Sequence, residues 1–75
     1  MEILINGKKT AIIKEDSDDN IEYRKYMKRE YNLIPCFILN KDNIPISVID
    51  LPSSFFNNDS RKVKFIECNK TYQTI

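Results

Sequence analysis

The sequence predicts an α+β domain built from a β-hairpin, one amphipathic helix and two or three further strands. Residues 19–33 (DNIEYRKYMKREYNL) are the only stretch long and periodic enough for a helix. At about 100° per residue, Tyr23, Tyr26, Met27, Tyr31, Leu33 and Ile34 gather on one side, and Arg24, Lys25, Lys28 and Arg29 on the other. Ahead of it, the apolar runs 2–6 (EILIN) and 10–14 (TAIIK) are joined through Asn6-Gly7, a strong two-residue hairpin signal. Behind it come three more runs of strand character, 36–40 (CFILN), 46–51 (ISVIDL) and 62–68 (KVKFIEC).

The only glycine of the chain, Gly7, stands where the hairpin turn needs a positive φ. The acidic link 15–20 (EDSDDN) supplies N-cap candidates in Ser17, Asp18 and Asp19, and its carboxylates suit the positive end of the helix dipole. It lacks the alternating oxygen ligands, central glycine and late glutamate of a calcium loop. Asn32 and Pro35 mark the end of the helix, since Pro35 disfavours helical geometry at Ile34 and removes a donor. Residues 36–40 are apolar on both faces and read as a central strand, whereas Pro45 and Pro52 bracket 46–51 and suit an edge. In the loop 52–60 (PSSFFNNDS), one turn of helix starting at Ser53 or Ser54 drops one phenylalanine over the core. If both Phe55 and Phe56 are exposed instead, they form a binding anchor. Residues 69–75 (NKTYQTI) read as a tail that frays or extends the last strand.

At 75 residues the chain allows one domain, 1–75, with a small core. An apolar fraction of 41% with 31% charged residues is that of a soluble globular chain, and the net charge of +1 excludes both an acidic nucleic-acid mimic and a generally basic coat protein. The first residues have neither the basic lead-in nor the apolar length of a signal peptide or membrane span, so a cytoplasmic protein without membrane contact is expected. Two cysteines, Cys36 and Cys68, cannot make a four-ligand zinc site and do not have redox CxxC spacing, and histidine is absent. The expectation is therefore a protein with no catalytic residues, no metal and no cofactor.

A hairpin followed by a helix that crosses to a third strand is the ββαβββ layout of a small β-grasp-like domain. The segments 1–7 (MEILING), 37–45 (FILNKDNIP) and 58–66 (NDSRKVKFI), with the helix between, resemble the corresponding parts of ubiquitin-like sulfur-carrier proteins. The resemblance implies the fold. It does not carry the chemistry, because those carriers end in an activated Gly-Gly and this chain ends in 71–75 (TYQTI), which leaves at most a degenerate ubiquitin-like carrier. In the same layout the third and last strands are neighbours, which would bring Cys36 close to Cys68.

With one helix on one face, the other sheet face still carries apolar side chains: Leu4 alternates with Ile3 and Ile5, and Ile13 with Ile12. Such a face is a candidate surface for another protein or a second copy of the chain. The partner-binding candidates are accordingly this face, the Phe55-Phe56 pair and the basic helix residues Arg24, Lys25, Lys28 and Arg29. The cations also suit nucleic acid or a nucleotide, the alternative reading. Ile, Asn and Lys supply 29 of the 75 residues, the bias of AT-rich coding. Small size and the lack of catalytic groups add to it, and the expected function is a non-catalytic protein-interaction module, an inhibitor from a phage or mobile element that blocks a host protein.

Overall fold

The computed structural model describes residues 1–57 and 62–75, so the part of the expected 52–60 loop beyond Asn57, and the start of the 58–66 resemblance, lie outside the described residues. The elements are β1 (Glu2–Ile5), β2 (Lys8–Lys14), α1 (Ile21–Tyr31), β3 (Leu33–Leu39), β4 (Pro45–Pro52), β5 (Lys64–Glu67) and β6 (Lys70–Thr74). Single 3-10 turns precede α1 (Asp18–Asn20) and follow β4 (Ser53–Phe56). The strands form one antiparallel sheet in the order β4-β3-β2-β1-β6-β5.

The first hairpin forms where the sequence places it, with Asn6 and Gly7 both at positive φ (51° and 81°). A second tight turn of the same hand joins β5 to β6 through Cys68 and Asn69 (φ 49° and 64°), two residues without the glycine signal. The expected tail is therefore a strand inside the sheet. β6 pairs with β1 on one side and β5 on the other, and Asn6 ties the two turns together: its N–H donates to the Thr71 carbonyl (2.7 Å) and its Oδ1 accepts from Thr71 N–H (2.8 Å).

This pairing also corrects the expected strand adjacency. β3 lies between β2 and β4, and β5 lies beyond β1 and β6, so the third and last strands are not neighbours. The sheet lacks the adjacency that a β-grasp arrangement requires. Cys36 is buried on β3 while Cys68 sits exposed in the β5–β6 turn, both as free thiols.

The helix is shorter than its periodicity suggests. Asn32 adopts the left-handed conformation (φ 56°) and its N–H bonds to the Lys28 carbonyl, which closes α1 and lets Leu33 open a strand at once. Pro35 is tolerated inside β3 because its backbone groups face the β2 side. There only its carbonyl is needed, as acceptor for Glu15 N–H at 2.9 Å. β4 is an edge strand, paired only to β3, with a bulge that leaves Ile46 out of register.

Opposed residues in an antiparallel sheet share a face, and the register sorts the core accordingly. Ile3, Ile12, Cys36, Leu51 and Tyr72 are buried on one side, roofed by Phe55, with Phe56 and Val63 packed against them. The 3-10 turn after β4 starts at Ser53 and drops Phe55 over this core, as the sequence leads one to expect, while the helix contributes less to it than its periodicity suggests. Of the expected apolar helix face only Met27 is buried; Tyr23, Tyr26 and Tyr31 stay 50%, 43% and 58% exposed. A tyrosine hydroxyl is better served by water than by an apolar sheet, and Tyr26 packs edge-on to Tyr31 at 5.8 Å instead. On the other face a row Ile13–Phe37–Val48 crosses three strands, with Ile13 and Val48 more than half exposed. None of the described helices is long and apolar enough to cross a membrane.

Burial pushes the Cys36 thiol up to about 12; the Asp50 carboxylate adds to the effect and Lys14 opposes it. A thiol reagent near pH 8 is therefore expected to label Cys68 in the folded protein and Cys36 only after unfolding. The linkage has a definite sign. The folded thiol ionises above its unfolded value, so its contribution is fully present below the ordinary thiol range. It is lost as the pH rises through that range toward about 12, at roughly 1.4 kcal/mol per pH unit. Burial raises the Tyr72 hydroxyl in the same direction. Urea midpoints falling from pH 9 upward check this.

Candidate functional site

The residues that the helix periodicity placed on its basic side come together in space. Ile21, Arg24, Lys25, Lys28 and Arg29 recur at spacings of three and four residues, and this side of α1 forms one wall of an open groove of about 700 Å³. The opposite wall and floor are the end of β2 and the start of β3. Leu33, Ile34 and Pro35, with Ile21 from the helix, make the floor aliphatic, and Lys14 adds a fifth cation from the strand side.

Two carboxylates, Glu15 and Asp16, also line it. Glu15 is committed: at 6% exposure its Oε1 accepts from Ser17 N–H at 2.7 Å and its Oε2 lies 3.5 Å from Arg24 Nε. Arg24 completes a clamp on the link before the helix, donating from Nη2 to the Ser17 carbonyl (2.8 Å) and from Nη1 to the Glu15 carbonyl (3.4 Å). The first turns of α1 are thereby fixed to the end of β2. Arg24 is thus a structural cation, and the ones that face solvent are Lys25, Lys28 and Arg29. Among the described residues Arg29 pairs with its exposed neighbour Glu30, at 3.1 Å, an interaction of little energetic weight at a surface.

The other expected site residues lie elsewhere. Phe55 is 3% exposed and belongs to the core. Phe56 is half-buried, its ring facing Lys14 Nζ at 4.8 Å, and it borders a smaller cavity of about 300 Å³ with Met1 and Ile12. The two phenylalanines therefore do not form an exposed pair. Sequence reasoning missed Lys14, Glu15 and the aliphatic floor as parts of the groove. Nothing local marks them, because only the return of β3 beside β2 sets residues 33–35 against residues 14–16. The tyrosines of α1 are not part of the groove. The Tyr26 hydroxyl lies 3.4 Å from that of Tyr31, and this contact raises its ionisation above the usual tyrosine range.

No family model, curated protein or solved structure matches the chain.

Proposed function

We propose that the protein is a small non-catalytic binding module whose groove takes an acidic segment of another protein. The observation that supports this is the convergence of Lys14, Lys25, Lys28 and Arg29 around an aliphatic floor, with Asp16 the one carboxylate there outside the Arg24 clamp among the described residues. Cations at the rim pair with carboxylates while Ile21, Leu33 and Pro35 receive an apolar side chain between them. A nucleic-acid groove of this size stacks bases on aromatic rings, and no aromatic residue lines this one. A module this small acts by occupying its partner's surface, which is the mode of a blocking inhibitor.

The test is a fluorescence-anisotropy titration with an extended peptide alternating glutamate and leucine, run beside an oligonucleotide of equal charge. The peptide is expected to bind, and Lys28→Glu/Arg29→Glu to weaken it at least about tenfold, since each exposed pair is worth up to ~1 kcal/mol and reversal turns attraction into repulsion. Preference for the oligonucleotide with a steep salt response would establish the nucleic-acid alternative, and binding of neither would remove the groove as a site.

A further inference from the structure

We infer that a second copy of this chain docks on the same groove wall, through an antiparallel pairing of the two α1 helices. The inference rests on the reading of the groove as a site for acidic segments, and it names one such segment: the start of the helix itself. At about 100° per residue, Ile21, Glu22, Lys25, Lys28 and Arg29 fall within one third of the helix circumference. Asp18, on the 3-10 turn ahead of α1, continues that stripe and Asp19 flanks it. All of these residues are exposed. The charges are segregated, with Asp18, Asp19 and Glu22 at the N-terminal end and Lys25, Lys28 and Arg29 toward the C-terminal end.

The segregation is also antisymmetric about the point midway between Tyr23 and Arg24. A two-fold axis at that point sets Asp18 against Arg29 of the second copy and Glu22 against its Lys25, and repeats both pairs in reverse. The opposed charges at the centre of the stripe then meet their opposites, which is the self-complementarity an isologous interface requires. The two helix dipoles run antiparallel, and the two Ile21 side chains, each 36% exposed, lie near the centre. A net charge of +1 per chain sets up little repulsion between whole copies. Docking one copy on another covers Lys25, Lys28 and Arg29, so self-association and acidic-segment binding compete.

One helix pair buries less than the ~1,600 Å² of a standard interface, so the dimer is weak and salt-sensitive. Sedimentation velocity at low salt is expected to show the mass climbing from 8.9 kDa toward twice that value as the concentration approaches about 500 µM, and falling back at about 300 mM salt. Lys25→Glu/Arg29→Glu and Asp18→Lys/Glu22→Lys each weaken self-association by roughly tenfold or more. An equimolar mixture of the two restores a 1:1 heterodimer, because the swapped charges face each other again. A mass of 8.9 kDa at every concentration, variants that associate like the original chain, or a mixture that stays monomeric would each overturn the inference. Asp18→Lys/Glu22→Lys leaves the groove cations in place, so the glutamate–leucine peptide still binds it even where self-association is absent. That arm separates failure of the dimer from failure of the binding site.

Discussion

Phe55→Ala is expected to cost about 3–5 kcal/mol of folding stability, the range for emptying a buried phenylalanine site. A chain of 75 residues has a total stability of only about 4–11 kcal/mol, so the variant is at or near unfolding at 37 °C. The size of the effect follows from position. Phe55 is held by the 3-10 turn in the buried cluster with Ile12, Cys36 and Leu51, and at 3% exposure its loss leaves a cavity among them. Phe56→Ala is the control. It is half-buried, it touches the core at the rim and it offers its ring to Lys14, so its loss is expected near 1–2 kcal/mol. Urea unfolding of both variants measures the difference. Equal and small losses would mean that the pair is a surface anchor after all.

Glu15→Ala is expected to cost about 2–3 kcal/mol and to loosen α1 from the sheet. The carboxylate is 6% exposed, accepts from the Ser17 amide and is the counter-ion of Arg24, with Oε2 3.5 Å from its Nε but no hydrogen bond there. Removing it leaves the Ser17 donor without its acceptor and the Arg24 cation without its counter-charge. The figure stays below the full cost of breaking a buried ion pair because the Arg24 side chain is 26% exposed and water can reach part of it. Glu15→Gln keeps an oxygen for Ser17 and loses only the charge, so a smaller loss is expected. Hydrogen exchange separates a local effect from a global one: the α1 amides should exchange faster in Glu15→Ala at denaturant levels where β1 and β2 remain protected. Uniform acceleration across the sheet would place the clamp in the core instead.

Both effects come from contacts that local sequence reasoning handles unevenly. Asn6-Gly7 was legible as a turn because two consecutive positive φ angles need residues of that kind. The Cys68-Asn69 turn was not. A cysteine in the left-handed region is disfavoured locally by about 1–2 kcal/mol, and it is held there by the pairing of β6 with both β1 and β5. The helix was legible in extent to within a few residues and in the grouping of its charges, since both follow from a period of 3.6. Which side of it would meet the protein was not. The expected packing side held three tyrosines, and a tyrosine stripe scores as apolar in a pattern while its hydroxyls keep it at the surface.

The candidate site divides along the same line. Arg24, Lys25, Lys28 and Arg29 could be named from spacing alone, but their division of labour could not. Arg24 holds the link before α1 to the end of β2 because Glu15 is returned beside it, while Lys25, Lys28 and Arg29 stay exposed along the groove.

By itself the sequence determined the α+β class, the first hairpin, the edge character of β4 and the one-sided placement of the helix cations. Each depends on neighbours within a few residues, through φ preferences, proline's missing donor and side-chain periodicity. Only the tertiary structure decided that β6 enters the sheet between β1 and β5, that Phe55 and not Phe56 is the phenylalanine set into the core, and that the cations border an aliphatic groove. Those outcomes depend on pairings between distant residues, such as Ile3 with Thr74 and Asn6 with Thr71. Which distant strand an edge accepts is fixed by the burial and hydrogen bonding of the whole sheet, a quantity that no local pattern contains.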